Sequence, residues 1–158
     1  MDILIAVRHG DYNGHDRDDR GLTEYGRNQI KILAVKIQKL LSESRKTKIF
    51  HSPRPRAVQT AGIISDLISC ETKELAVLVG ELSFNGEGIM EELVNEVGSD
   101  VDCVITVGHF EAVPGLVGSF IEVGPNVPNQ EQLDVLVDVP GKGEGFVLEL
   151  STGKITKI

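Results

Sequence analysis

Apolar residues in the first part of the chain form a short continuous run followed by a longer segment with helical spacing. Residues 2–7 (DILIAV) have the length and composition of a buried strand. Polar, glycine-containing residues 11–22 follow and predict a surface loop. Thr23 is suited to cap a helix whose apolar stripe consists of Ile30, Leu33, Ala34, Ile37, Leu40 and Leu41.

The same order of strand and helix recurs between residues 47 and 79. A short strand over 47–51 precedes Ser52 and Pro53, which predict the N-cap and first residue of a helix, because proline is tolerated in a first helical turn. Apolar residues 74–79 then predict a third strand before a second glycine-bounded loop.

A third unit occupies the second half of the chain. A short acidic helix ending at Gly98 precedes a buried strand over 101–107, and apolar positions from Phe110 predict another helix. A loop is predicted over 123–132, and the apolar segment 133–139 follows it. Residues 145–150 and 154–158 predict a terminal hairpin.

Alternation of strands and helices predicts an α/β fold, a three-layer sandwich with a mostly parallel sheet and an antiparallel C-terminal edge. The length of 158 residues predicts a single domain over residues 1–158. Ligands of such sheets bind beyond the carboxyl ends of the strands. His9, Arg56 and His109 each follow a predicted strand end, so we expect them to converge there.

The charge distribution narrows the class of partner. The net charge of −8 argues against nonspecific binding to nucleic acid or an anionic membrane. Residues 1–60 nevertheless contain 12 Lys and Arg against 7 Asp and Glu, so the basic groups are concentrated near the predicted site. The N-terminal apolar run is too short for a signal sequence, which predicts a cytoplasmic protein. Cys70 and Cys103 are expected to be buried free thiols.

Two arginines and two histidines at helix openings suit a tetrahedral dianion. Arginine binds phosphate oxygens through two parallel hydrogen bonds, helix N-termini add N–H donors, and a neutral imidazole can attack phosphorus. The histidines lack the spacing of a zinc site, so neither a metal nor another cofactor is expected.

Several segments resemble the histidine phosphatase superfamily, which has the phosphoglycerate mutase-like fold. Residues 8–10 match its RHG signature, residues 22–29 its helix opening, and residues 52–61 its SPxxRAxQTA segment. Residues 107–109 resemble the segment of the second histidine, and residues 142–144 the start of the last hairpin. The short length and the RHGD opening are most similar to small bacterial phosphohistidine phosphatases of the SixA type.

The resemblance implies roles for specific residues. His9 would attack phosphorus and become phosphohistidine, while Arg8, Arg56 and His109 would bind the phosphate oxygens and stabilise their growing charge. Members that cleave alkyl phosphates use a carboxylic acid after the third strand, and Glu81 is the matching candidate. Asp11 and Asp18 in the first loop are competing candidates for this acid.

The predicted function is therefore metal-independent dephosphorylation, with phosphohistidine in a protein as the first substrate class. A small phosphoester, such as a sugar or nucleotide-precursor phosphate, is the enzymatic alternative. A noncatalytic phosphate-binding module is an alternative of a different kind. The expected partner is a phosphorylated protein or a small phosphometabolite, with no nucleic acid and no membrane.

Overall fold

Strands and helices alternate along the chain in a computed structural model that describes residues 1–15, 18–41, 45–79, 86–110, 112–126 and 128–158. The strands are β1 (Ile3–Arg8), β2 (Thr47–His51), β3 (Glu71–Glu74), β4 (Cys103–Gly108), β5 (Gly145–Glu149) and β6 (Lys154–Lys157). The helices are α1 (Glu24–Leu40), α2 (Pro55–Ile68), α3 (Gly86–Glu96), α4 (Ala112–Val123) and α5 (Gln130–Val137), with a short 3₁₀ helix at Ala76–Val79.

The strands form one sheet in the order β3-β2-β4-β1-β5-β6. Strands β1 to β4 are parallel, and β5 pairs antiparallel with both β1 and β6. This arrangement confirms the predicted α/β fold with its antiparallel C-terminal edge. The last hairpin is also confirmed, since β5 and β6 are joined by a turn in which Gly153 has a φ of +70°.

Helices cover both faces of the sheet, which gives the predicted three layers. Alternate residues of β1, such as Leu4 and Ile5, point to opposite faces and enter two separate clusters of buried side chains. One cluster contains residues of α1 and α2, and the other contains residues of α3 and α4. The Thr23 cap of α1 is confirmed, because its hydroxyl accepts a hydrogen bond from the Gly26 amide.

Two predicted element boundaries are wrong. Helix α2 begins at Pro55, with Arg54 as N-cap, rather than at Pro53. The third strand lies at Glu71–Glu74 instead of 74–79, and all four of its residues are exposed. This strand forms by backbone pairing with β2 at the edge of the sheet, so its side chains do not need to be apolar. The apolar residues that follow form the 3₁₀ helix, from which Leu78 is buried.

The segments beside the later strands also differ from the prediction. Phe110 precedes α4 and is 45% exposed, so it does not belong to the apolar face of that helix. Most of the apolar segment 133–139 belongs to α5, which begins inside the predicted loop because Asn129 caps it. Cys103 is buried as expected, but Cys70 is only half-buried. In the described part of the chain, no helix is long and apolar enough to cross a membrane.

Candidate active site

The carboxyl ends of three neighbouring strands bring the predicted site together. Strand β4 lies between β1 and β2, with Arg8 in register with Gly108 and His51 in register with Val107. The residues that follow these strands therefore lie side by side. The structure groups His9, Ser52 and His109 at this edge, with Arg56 reaching them from the first turn of α2.

His9 has an orientation that leaves one ring nitrogen for chemistry. The side chain is buried, and its Nε2 accepts a hydrogen bond of 3.0 Å from Arg56 Nε. A guanidinium group can only donate, so Nε2 carries the lone pair and Nδ1 carries the proton. Nδ1 donates to the Gly10 carbonyl oxygen at 2.8 Å, which fixes the ring.

The surroundings of His9 favour its neutral form. The pKa of His9 is lowered to about 4, chiefly by burial and to a smaller degree by the nearby cations Arg56, Arg8 and Lys142, while the hydrogen bond to Gly10 acts in the opposite direction. At neutral pH the imidazole is thus unprotonated, as a nucleophile must be.

Arg56 uses all three guanidinium nitrogens within the site. In addition to the bond from Nε to His9, Nη2 donates to His109 Nδ1 at 3.2 Å and Nη1 donates to Asp19 Oδ2 at 3.1 Å. The face of the guanidinium lies 4.3 Å from the centre of the Tyr12 ring. The side chain is therefore held by both its edges and its face.

His109 lies against both His9 and β2. The ring centroids of His9 and His109 are 5.1 Å apart. Since His109 Nδ1 accepts from Arg56, the other nitrogen, Nε2, donates to Ser52 Oγ at 3.0 Å. Ser52, predicted as a helix cap, is thus a fully buried partner of the second histidine.

Arg8 is half-buried beside the same group. Its Nη1 donates to the Pro140 carbonyl oxygen at 3.3 Å, and its guanidinium lies 4.9 Å from the centre of the Phe110 ring. Nε of Arg8 is buried and has no hydrogen-bond partner among the described residues. Burial lowers the pKa of Arg8 from its ordinary value, and the nearby charge of Arg56 lowers it as well. An anionic oxygen would satisfy such a donor.

The predicted start of the last hairpin also contacts the end of β1. The Gly143 amide donates to the carbonyl oxygens of His9 and Arg8 at 3.0 and 3.3 Å, and Gly143 needs glycine because its φ is +76°. Lys142 contacts Asp11 through an ion pair of 2.7 Å. The resemblance of residues 142–144 to the histidine phosphatase superfamily predicted where the last hairpin starts. The structure shows that Lys142 in this segment lies near the site.

Two residues of the site, Tyr12 and Asp19, were not predicted from the sequence. The Tyr12 ring packs edge-on against His9, with centroids 5.2 Å apart, and forms one wall of the site. Asp19 forms the buried ion pair with Arg56. A sequence signal for Asp19 exists, since an aspartate two positions before a glycine often closes a tight turn, and Asp19 Oδ1 indeed accepts from the Gly21 amide at 2.8 Å.

The candidates for the general acid differ in what their surroundings allow. The hydrogen bond from Lys142 is the main cause of a lowered pKa of Asp11, so this carboxyl is ionised at neutral pH. Asp18 is exposed and bonded to the Arg20 side chain. Glu81, the first candidate, lies outside the described residues. Neither Asp11 nor Asp18 has the surroundings of a proton donor at neutral pH.

In the described part of the chain, cations are more numerous than acids in the group of side chains that converge at this edge. Arg56 contacts both histidines, Arg8 and Lys142 lie near His9, and Asp19 is, of the residues that the structure describes, the acid in direct contact with Arg56. Among the described residues, no group of three or more His, Cys, Asp or Glu side chains could hold a metal ion. The arrangement can bind a tetrahedral dianion and present it to the lone pair of His9.

An α/β sandwich with this histidine and arginine group defines a class of phosphoryl-transfer enzymes, and comparison with known proteins gives its family. The profile of the histidine phosphatase superfamily (branch 1) matches residues 4–123. The chain belongs to this superfamily and is a phosphatase. No curated protein matches it significantly in sequence.

Solved structures share the fold at low sequence identity. A protein assigned as the phosphohistidine phosphatase SixA from Agrobacterium tumefaciens is 19% identical with a TM-score of 0.72, and the alignment covers 99% of this chain and 95% of that chain. The protein histidine phosphatase SixA complexed with tungstate is 21% identical, with a TM-score of 0.63 and coverages of 99% and 94%. A mycobacterial glucosyl-3-phosphoglycerate phosphatase complexed with VO3 is 13% identical, with a TM-score of 0.66 and coverages of 99% and 97%.

Proposed function

We propose that the chain is a metal-independent phosphatase that forms a phosphohistidine intermediate on His9 and dephosphorylates phosphohistidine in a protein. The observation that carries the proposal is the state of His9. Its Nδ1 proton is bound by Gly10, its Nε2 lone pair lies in the cationic site, and its pKa is lowered to about 4. The ring is therefore neutral and oriented before any substrate binds.

The reaction has two transfers at phosphorus. His9 Nε2 forms a bond to phosphorus while the bond to the substrate's imidazole nitrogen breaks, and that imidazole leaves as a neutral ring that keeps the proton already carried by its other nitrogen. Water then attacks the phosphoryl group on His9, which releases inorganic phosphate and restores the neutral ring. Arg56 Nε, bonded to the His9 lone pair, would transfer its hydrogen bond to a phosphoryl oxygen when the new bond forms.

Three further groups would stabilise the charge on the equatorial oxygens. Arg56, Arg8 and His109 lie around the nucleophile, and Arg8 offers a buried Nε without a hydrogen-bond partner among the described residues. Donors that are already oriented toward developing charge provide most of the catalysis in phosphoryl transfer. These residues are proposed as the catalytic group together with His9.

The leaving group distinguishes the two substrate classes. An alkoxide needs a proton during bond cleavage, whereas imidazole leaves with little help. Of the two described candidates for the acid, Asp11 is kept ionised by Lys142 and Asp18 is exposed, and this supports phosphohistidine as the substrate. The small-phosphoester alternative depends on Glu81, and relatives of this fold include a phosphatase for glucosyl-3-phosphoglycerate.

A cytoplasmic location belongs to the same proposal. Both cysteines, Cys70 and Cys103, are free, which is typical of proteins in a reducing compartment. Burial raises the pKa of the Cys103 thiol to about 12 and that of Cys70 to about 11, so neither is a reactive thiolate.

The decisive experiment compares substrates with the purified protein in EDTA. We expect release of phosphate from p-nitrophenyl phosphate and from a phosphohistidine-containing protein, slow release from a panel of sugar and nucleotide-precursor phosphates, and inhibition by vanadate. Activity that EDTA abolishes and zinc or magnesium restores would contradict the metal-independent mechanism. Binding of phosphate without any turnover would indicate the noncatalytic module.

Glu81→Gln tests the general acid separately. If Glu81 protonates alkoxide leaving groups, this variant should lose about 10²–10⁴-fold of any activity on alkyl phosphates and keep its activity on phosphohistidine and p-nitrophenyl phosphate. Glu91→Gln, an exposed position on α3, is the control and should change neither activity. Equal losses on every substrate in Glu81→Gln would contradict the acid role.

A further inference from the structure

A buried carboxylate contacts the arginine that bridges the two histidines. The side chains of Arg56 and Asp19 are only 4% and 6% exposed, and Nη1 of Arg56 lies 3.1 Å from Oδ2 of Asp19. A charge buried to this degree needs a partner, because removing that partner leaves an uncompensated charge away from water. The neighbouring Asp18, by contrast, is exposed and bonds to the Arg20 side chain.

Asp19 also acts on the backbone of the helix that carries Arg56. The N-cap of α2, Arg54, makes no side-chain hydrogen bond to the helix, whereas Asp19 Oδ2 accepts from the Arg56 amide at 3.3 Å. A carboxylate at a helix N-terminus is stabilised by the free amide groups and the helix dipole. Asp19 therefore holds both ends of one residue, the amide and the guanidinium of Arg56.

The loop that carries Asp19 is itself fixed on α2. Gly21 has a φ of +82°, and a Cβ there would lie 2.3 Å from Gln59 Nε2, so the turn requires glycine. Gln59 Oε1 accepts from the Leu22 amide at 2.9 Å. These contacts fix the position of the loop that carries the carboxylate on α2.

We propose that Asp19 is a positioning residue that holds the Arg56 guanidinium with Nε toward His9 and Nη2 toward His109, the orientation needed to stabilise the transferred phosphoryl group. This inference rests on the proposed function and deepens it. Fixing Nη1 on Asp19 leaves the other two nitrogens directed into the site, because the guanidinium group is planar and rigid.

An amide cannot replace this carboxylate. Both oxygens of Asp19 accept hydrogen bonds, Oδ1 from the Gly21 amide and Oδ2 from Arg56. Asparagine has one oxygen, so in Asp19→Asn an NH₂ group must face either the Gly21 amide or the guanidinium, donor against donor. Asp19→Asn therefore keeps the size of the side chain and removes one of these two hydrogen-bond acceptors.

The test measures kcat, KM and inhibition of Asp19→Asn with p-nitrophenyl phosphate. We expect kcat to fall about 10- to 100-fold, the range for a misplaced catalytic group, with KM changed less than about threefold. The inhibition constant of vanadate, which resembles the trigonal bipyramidal transition state, should rise by the same factor as kcat/KM falls. The inhibition constant of inorganic phosphate should change much less.

Two variants complete the design. Asp100→Asn removes a carboxylate from an exposed ion pair with Lys46 and should match the wild type in every measurement. Asp19→Glu keeps two acceptor oxygens on a longer side chain, and we expect a kcat between those of wild type and Asp19→Asn. In Asp19→Glu the inhibition constant of vanadate should again rise more than that of phosphate. If Asp19→Asn does not fold, the measurements on Asp19→Glu test the proposal.

A folded Asp19→Asn protein with kcat within twofold of wild type would overturn the proposal. A loss of activity that accompanies a lower Tm, with both inhibition constants unchanged, would show a purely structural role and would overturn it as well. If the wild type released no phosphate from any substrate, the proposed function would fail instead. Asp19 would then be judged by calorimetric binding of vanadate and phosphate to the same variants.

Discussion

The two ends of the parallel sheet carry basic residues and use them differently. At the carboxyl end, Arg56 and its partner Asp19 are buried, and the cation contacts two histidines. At the amino end, Lys46 and Asp100 form an ion pair whose side chains are 66% and 68% exposed. A cavity of about 930 Å³ also opens at the amino end, and no histidine lines it.

Helix direction explains this difference. In a parallel α/β sheet the helices begin at the carboxyl end of the strands, so their free amide groups favour anions there. Helix α2 begins beside the histidines at Pro55 and ends near the cavity at the amino end, where Ser69 caps it with a φ of 55°. The buried, fixed cation therefore lies at the candidate active site, whereas the cavity lies at the opposite end of the sheet.

The largest effect should come from substitution of His9, the proposed nucleophile. His9→Ala should abolish turnover and the formation of a covalent phosphoenzyme, because no other neutral imidazole has this contact with Arg56 Nε among the described residues. Labelling with phosphorylated substrate should give a wild-type phosphoenzyme that is labile in acid and stable in base. His15→Ala, an exposed loop position, is the control. Label that persists in His9→Ala would contradict the assignment.

A second large effect is expected from the bridging arginine. Arg56→Ala should lower kcat/KM by about 10²–10³-fold, the range for removal of one preorganised donor from a transition state. Lys46→Ala removes a cation from the opposite end and should leave kcat/KM within twofold of wild type. Steady-state kinetics of the two variants compares the two ends of the sheet directly. Similar losses of kcat/KM in both variants would refute the functional difference between the ends.

The pH dependence of stability gives a smaller effect with a defined sign. The pKa of His9 is lowered from 6.5 to about 4, so the unfolded chain binds a proton in this range that the folded chain does not. The free energy of unfolding should therefore decrease as the pH falls from 6.5 to 4, by up to about 3 kcal/mol from this group. His9→Gln should reduce that decrease.

Urea unfolding of wild type and His9→Gln at pH 7 and pH 4.5 measures this contribution. The stability difference between the two proteins should shift in favour of the variant at the lower pH. Parallel pH curves would mean that the folded-state pKa of His9 is not lowered.

The smallest effect is expected for the exposed pair. Asp100→Ala should leave Tm unchanged within the error of calorimetry, because an exposed ion pair gains little in water and is screened by salt. Raising the salt concentration should likewise have no measurable effect on the difference from wild type. A clear fall in Tm would show that the amino end also depends on fixed charges.

Local patterns were sufficient to predict much of the fold. Strand β1 is an uninterrupted apolar run, and the Thr23 cap and the apolar stripe of α1 lie close together in the sequence. The last two predicted members of the stripe, Leu40 and Leu41, nevertheless lie at the exposed end of the helix and at its C-cap. The third strand could not be found in this way, because β3 is an exposed edge strand that exists through pairing with β2. The start of α2 at Pro55 instead of Pro53 likewise depends on the neighbouring loop, which supplies a capping carboxylate.

By itself, the sequence determined the residue types of the site and their positions after strand ends, since RHG and SPxxRA place His9 and Arg56 where parallel strands and helices meet. Only the tertiary structure decided which ring nitrogen of His9 carries the lone pair and which of two adjacent aspartates is buried. Asp18 and Asp19 are chemically identical neighbours in a loop without periodicity. The contact with Arg56, 37 positions away, distinguishes them, and such long-range pairing is set by packing rather than by local pattern.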